Sequence, residues 1–196
     1  AVVVCRPDLA SPTNAIARVC GRRVTKSVVN CVKKVLRFLI CTPDVGIVYD
    51  PENERKFNTT YRKLISQGKV LKRWDLFTDA SFASDYVTLR SVSGAAMYFR
   101  GCPILWRSSR QTVRAGSTFE SELIAGSDGL VLSENITFRG FYDSPGRSGE
   151  QESEKDLWMD NETAVTDSKT HTAEHRPRSR HVALRLSLIH ICRRRR

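Results

Sequence analysis

Hydrophobic residues recur along this chain at two different periods, and the change of period divides it. Val28, Val32, Val35, Leu36 and Leu39 fall at three- and four-residue intervals across Thr25 to Ile40, with Lys33, Lys34 and Arg37 on the other side, which predicts an amphipathic helix. A shorter segment from Pro12 to Val19 carries Ile16 and Val19 three apart, so two helices joined at Gly21 make a small hairpin. Thr42-Pro43-Asp44 stops the second helix. Val45 to Tyr49 then reads as a short strand and Asp50 to Asn53 as a turn. Lys56 to Lys69 is polar and fits neither period, which places a boundary near Gly68 between a first unit, 1–68, and a second, 69–190.

From Leu71 the period is two. Strands are predicted over Leu71 to Thr78, Val92 to Phe99 and Ile104 to Ser108, with Arg100-Gly101-Cys102-Pro103 as the turn between the last two. Short links between consecutive strands imply an antiparallel meander. Ser117 then offers a helix cap, and Glu120 three residues on is the partner of a capping box. That helix runs through Leu123, Ile124, Gly126, Leu130 and Val131 to about Asn135. Asp143 to Lys155 is rich in Ser, Gly, Pro and acids and reads as a surface loop. Leu157 to Asp160 is a further strand, Asn161 to Asp167 a helical turn, and Arg180 to His190 a final helix. The order βββαβα predicts an α/β domain with a mixed sheet.

Composition narrows the partners. With 32 Lys and Arg against 21 Asp and Glu the net charge is +11, an excess that favours a polyanion such as nucleic acid. Part of it is local: residues 191–196 end in Arg193 to Arg196, a basic tail that shares no pattern with the domain and carries none of the functional reading. The six cysteines show no Cys-x-x-Cys pair, which argues against zinc and for small buried hydrophobes in a reducing compartment. No apolar run approaches membrane-spanning length and no signal segment is present, so the expectation is an intracellular protein, cytoplasmic or nuclear, with no membrane partner. The chain begins mid-pattern, as a fragment of a longer polypeptide would.

Three carboxylates fall at positions where a sheet fold can converge side chains: Asp79 at the end of a strand, Glu122 in the first turns of the next helix and Asp160 at the end of a later strand. Brought within a few ångströms they repel one another unless cations neutralise them, and such hard oxygen ligands suit magnesium or manganese. Each acid taken alone could equally be a cap or a solvent-facing residue.

Thr78-Asp79-Ala80-Ser81-Phe82, Ser91-Val92-Ser93-Gly94, the run Pro103 to Val113, Ser117 to Ala125 and Met159 to Val165 together resemble the ribonuclease H domain of copia-type LTR retrotransposon polyproteins, over roughly Leu71 to Leu186. The first third, Arg6 to Ala10 and Val32 to Tyr49, resembles the stretch that joins reverse transcriptase to that domain, so an upstream reverse transcriptase portion is an implied partner. The polymerase aspartates would lie upstream, and this chain should not polymerise DNA. The resemblance implies a ribonuclease H-like mixed sheet of three antiparallel strands followed by parallel ones, flanked by helices, with the N-terminal helical hairpin in front. It also implies cleavage of the RNA strand in RNA–DNA hybrids with two magnesium (or manganese) ions held by Asp79, Glu122 and Asp160. Glu120 is the nearby alternative to Glu122, though it fits the capping box better.

The family's fourth acid follows a histidine and one apolar residue, which here is His181-Val182-Ala183; Ala183 stands in the acid's place, and a methyl group cannot hold a cation. Ser81 likewise replaces the second acid of the first motif. His181, with His171 and His175, could ferry protons as a general base; a packed or solvent-exposed histidine in a basic loop is the plainer reading. Arg107, Arg110, Arg114 and Arg180, with Arg176 and Arg178, could line a groove for hybrid phosphates beside Trp106, or be solvated charges. The alternative function is a catalytically inactive domain that keeps the fold and binds nucleic acid or protein.

Overall fold

The computed structural model describes residues 5–21, 24–60, 66–67, 74–141 and 155–169. Two helices open the chain, α1 (Ala10–Cys20) and α2 (Lys26–Cys41), the expected hairpin. Thr25 caps α2 by accepting the Val28 N–H. Arg6 fastens the two ends: it pairs with Asp8 at 2.8 Å, donates to the Thr42 carbonyl and hydroxyl at 3.0 and 2.9 Å, and lies over the Phe38 ring.

Val45 to Tyr49 is not a strand. Its apolar side chains alternate, but Val45, Val48 and Tyr49 stay exposed and none of its backbone joins the sheet. The expected turn at Asp50 is instead the start of a third helix, α3 (Pro51–Thr60), where Asp50 accepts the Glu52 N–H and Pro51 occupies the first position.

The sheet comprises β1 (Trp74–Asp85), β2 (Arg90–Phe99), β3 (Cys102–Arg110) and β4 (Lys155–Met159), in the order β3-β2-β1-β4 among the described residues. β1, β2 and β3 form the expected antiparallel meander, and β4 is parallel to β1, so the sheet is mixed. β1 is longer than its predicted end at Thr78, because β2 continues to pair with it past that point. Likewise β4 begins at Lys155, two residues earlier than expected.

Arg100 and Gly101 turn β2 into β3 with φ of 48° and 78°, the left-handed pair of a tight two-residue hairpin loop. A Cβ on Gly101 would sit 2.6 Å from the Asn53 carbonyl oxygen, so only glycine lets α3 lie against this turn. Tyr49 donates to the Pro103 carbonyl at 3.0 Å and Asn14 to the Ser108 hydroxyl at 3.1 Å. Through these contacts α1, Tyr49 and α3 meet β3 and the turn before it.

A long helix, α4 (Thr118–Phe141), crosses one face of the sheet, and α5 (Glu162–Lys169) follows β4. The capping box forms: Ser117 accepts the Glu120 N–H at 3.1 Å, while Glu120 reaches back to the Gly116 N–H at 2.8 Å. The helix continues six residues past its predicted end at Asn135. Its inner side packs Leu123 and Leu130 on Trp74, Leu76, Met97 and Ala164 to make the core. Two glycines set the distance of approach: a Cβ at Gly129 would fall 2.7 Å from the Thr78 methyl, and one at Gly126 3.0 Å from the Met159 sulfur.

Of the five cysteines among the described residues, Cys5, Cys20, Cys31 and Cys41 are exposed and only Cys102 is the buried small residue expected of all; Cys192 lies outside them. The amphipathic first helices have no thick layer over them in which to hide a thiol. The predicted loop from 143 and the predicted helix from Arg180 to His190 lie outside the described residues. Among the described residues no helix is long and apolar enough to cross a membrane.

Candidate metal centre

The backbone register of β1 and β4 brings the first two acids together. The parallel ladder ends at the pair Thr78 and Met159, and the next residue on each strand is a carboxylate, Asp79 and Asp160. Asp79 is thus not at the end of β1, which runs on to Asp85, but at the end of its pairing with β4. Both side chains are exposed.

Glu122 comes to them from α4. The capping box fixes where the helix starts, and Gln111 holds that first turn to the sheet: its buried amide donates to Ser93 Oγ and to the Ser121 carbonyl, both at 2.9 Å. Glu122 is 6% exposed, and one oxygen from each of Asp79, Glu122 and Asp160 lies within 4.8 Å of the others.

The state of Glu122 is the most informative feature of the cluster. Its Oε1 accepts the Ala80 backbone N–H at 3.2 Å; its Oε2 is buried with no hydrogen-bond partner. Burial, then the charges of Asp160 and Asp79, push its carboxyl up to about 7, against the lowering effect of the Ala80 N–H. No Lys or Arg among the described residues pairs with any of the three acids. A buried carboxylate oxygen without a donor, beside two further carboxylates and no cation, is a donor set that matches a divalent metal with oxygen preference. Glu120 is excluded from it, being committed to the helix cap.

The other expected residues are placed as follows. Arg107 and Arg110 lie together on β3, lining a cavity of about 320 Å³ with Ser93, Ser109, Thr112 and Asp128. Arg110 is held by Asp85 at 2.8 Å, and that ion pair keeps the Asp85 carboxyl well below the usual range. Arg107 and Arg114 are exposed. Arg180, His171, His175, His181 and Ala183 lie outside the described residues.

Sequence reasoning missed two buried polar residues. Gln111 follows a strand in the polar stretch from Arg107 to Thr112, and no hydrophobic period singles it out. Asp75 is 1% exposed and accepts the Trp158 indole N–H at 2.8 Å; the alternation of β1 placed it on the same side as Phe77 and Asp79 but gave no reason to expect its burial.

The described chain is therefore an α/β protein with a mixed sheet, a long helix over one face and three carboxylates gathered where a parallel strand pair ends. By sequence it is similar to Secreted RxLR effector protein 161 of Plasmopara viticola, with 27% identity over 138 residues that cover 70% of this chain and 84% of that protein. No family model matches the chain. No solved structure matches it either.

Proposed function

We propose that this chain carries a ribonuclease H-like domain that cleaves the RNA strand of RNA–DNA hybrids with magnesium or manganese. The observation that carries the reading is the trio Asp79, Glu122 and Asp160, with the buried, unpartnered Oε2 of Glu122 at its inner side. Three antiparallel strands followed by one parallel strand, with a helix laid across the sheet, agree with it.

Asp79, Glu122 and Asp160 would hold the metal, which when bound supplies positive charge for phosphodiester hydrolysis by water. The Ala80 N–H keeps the Glu122 carboxylate oriented by binding one oxygen and leaving the other available. Exposure of Asp79 and Asp160 leaves the outer side of the cluster open to a scissile phosphate. Arg107 and Arg114 can contact flanking phosphates of the hybrid, whereas Arg110 must first leave Asp85.

Ala183 favours a second reading, a domain that keeps the fold and binds nucleic acid or protein without cutting. The likeness to a protein named as a secreted effector is compatible with such a binding role. A hybrid-cleavage assay with magnesium and with manganese separates the two. The enzyme reading expects metal-dependent cutting that Asp79→Asn abolishes. A silent wild type that Ala183→Asp awakens supports the second reading, and cutting unchanged in Asp79→Asn would show that the site lies elsewhere.

A further inference from the structure

Asp75 lies on β1 four residues before Asp79, and Trp158 lies on β4 two residues before Asp160. A carboxylate withdrawn from water persists only with hydrogen bonds to it; here Asp75 Oδ1 accepts the Trp158 indole N–H at 2.8 Å. This contact runs diagonally across the ladder. By backbone register Asp75 lies opposite Asp156 and Phe77 opposite Trp158, so the indole reaches past its own pair to the previous residue on that face. Its ring stacks on Phe77, with centroids 5.9 Å apart and planes 11° from parallel, and Phe77 in turn meets Tyr98 edge-on at 5.6 Å.

The contact has a specific mechanical consequence. β4 is only five residues long, and parallel pairing is the weaker kind per residue. A slip of one residue would move Asp160 by about 3.3 Å and turn it to the opposite face. Asp79 and Asp160 are the first residues beyond the last pair of that ladder, so their separation reports the register directly. Asp75 is about 13 Å along the strand from Asp79, at 3.3 Å per residue, too far to act on the acids except through the strands themselves.

We infer that Asp75 and Trp158 are positioning residues: the indole–carboxylate bond locks the β1–β4 register that sets Asp160 beside Asp79. The inference rests on the reading of the acids as metal ligands. Trp158→Phe keeps the stack on Phe77 and removes the N–H; Asp75→Asn keeps the Oδ1 acceptor.

Three measurements on the full chain test it: manganese affinity from the resonance of the free ion, unfolding without metal, and amide exchange of residues 155–160. Wild type should bind manganese, Trp158→Phe should bind about 10- to 100-fold more weakly, as loss of a supporting contact does, and Asp75→Asn should stay close to wild type. The residues 155–160 should exchange faster in Trp158→Phe while the protein remains folded. Should that variant fail to fold because Asp75 loses the indole N–H, the double variant Asp75→Leu/Trp158→Phe removes both members of this bond and gives the same reading.

A folded Trp158→Phe with wild-type affinity and wild-type exchange overturns the inference. So does an Asp75→Asn variant weaker than Trp158→Phe, which would place the effect in the carboxylate's charge. A wild type that binds no manganese refutes the metal-site reading instead, and the register lock is then judged by the exchange of 155–160 alone.

Discussion

Replacing Glu122 with glutamine should change how stability depends on pH, and the size of the change follows from the site. Glu122 is 6% exposed and its carboxyl is raised from the ordinary 4.5 to about 7. Between those values the folded protein holds a proton that the unfolded chain releases, so this group makes stability fall as pH rises through the window and contributes no further change above it. At about 1.4 kcal/mol per pH unit the full window is worth about 3 kcal/mol. Contact of the neighbouring acids with solvent screens part of this, leaving about 2 kcal/mol.

Glutamine is neutral at every pH, so the stability difference between variant and wild type should itself grow by about 2 kcal/mol from pH 4.5 to pH 8, in favour of the variant. For a chain of this size that is about 4–8 °C in melting temperature. Urea and thermal unfolding in the presence of a chelator measure it, and titrating groups outside the cluster cancel in the difference. Magnesium should then stabilise wild type at pH 8 and do little for Glu122→Gln. A difference constant across pH, or one that shrinks as pH rises, would refute the account of a carboxylate buried among like charges.

Three further outcomes can be read by urea unfolding. Gly129→Ala should lose about 1–3 kcal/mol despite the better helix propensity of alanine, because its Cβ would meet the Thr78 methyl at 2.7 Å. Gly101→Ala should cost about 1–2 kcal/mol for the left-handed backbone alone, and more because α3 must withdraw from the Asn53 contact at 2.6 Å. Ser117→Ala removes the cap of α4 and should cost about 1 kcal/mol; a neutral result would mean that Gln111, not the cap, fixes the helix start.

What was legible in the sequence is what local pattern controls. The periods of two and of three to four located β2, β3, α2 and α4, and Ser117 with Glu120 announced the start of α4 three residues apart. Ends were not legible, because a strand stops where its partner stops: β1 continues to Asp85 on the strength of β2, and its parallel pairing ends at Thr78 because β4 does. Val45 to Tyr49 shows the same dependence from the other side: its backbone makes no ladder with the edge strand β3, which it reaches through the Tyr49 hydroxyl, and without a ladder it is no strand.

The carboxylates carry this furthest. Asp75, Asp79, Asp85 and Asp160 are the same side chain in similar strand contexts, and nothing local sorts them. Their partners do. Asp75 is buried against an indole, Asp85 is held by Arg110, and Asp79 and Asp160 stand beside Glu122 with no cation among the described residues. A carboxylate answered by an indole or a guanidinium is part of the scaffold; three gathered without a cation among the described residues, the innermost with one unpartnered oxygen and a carboxyl raised to about 7, hold repulsion that an added positive charge or a proton relieves. Asp75 and Asp79 thus divide the labour on one strand: the first fixes register, and the second uses the position that register provides.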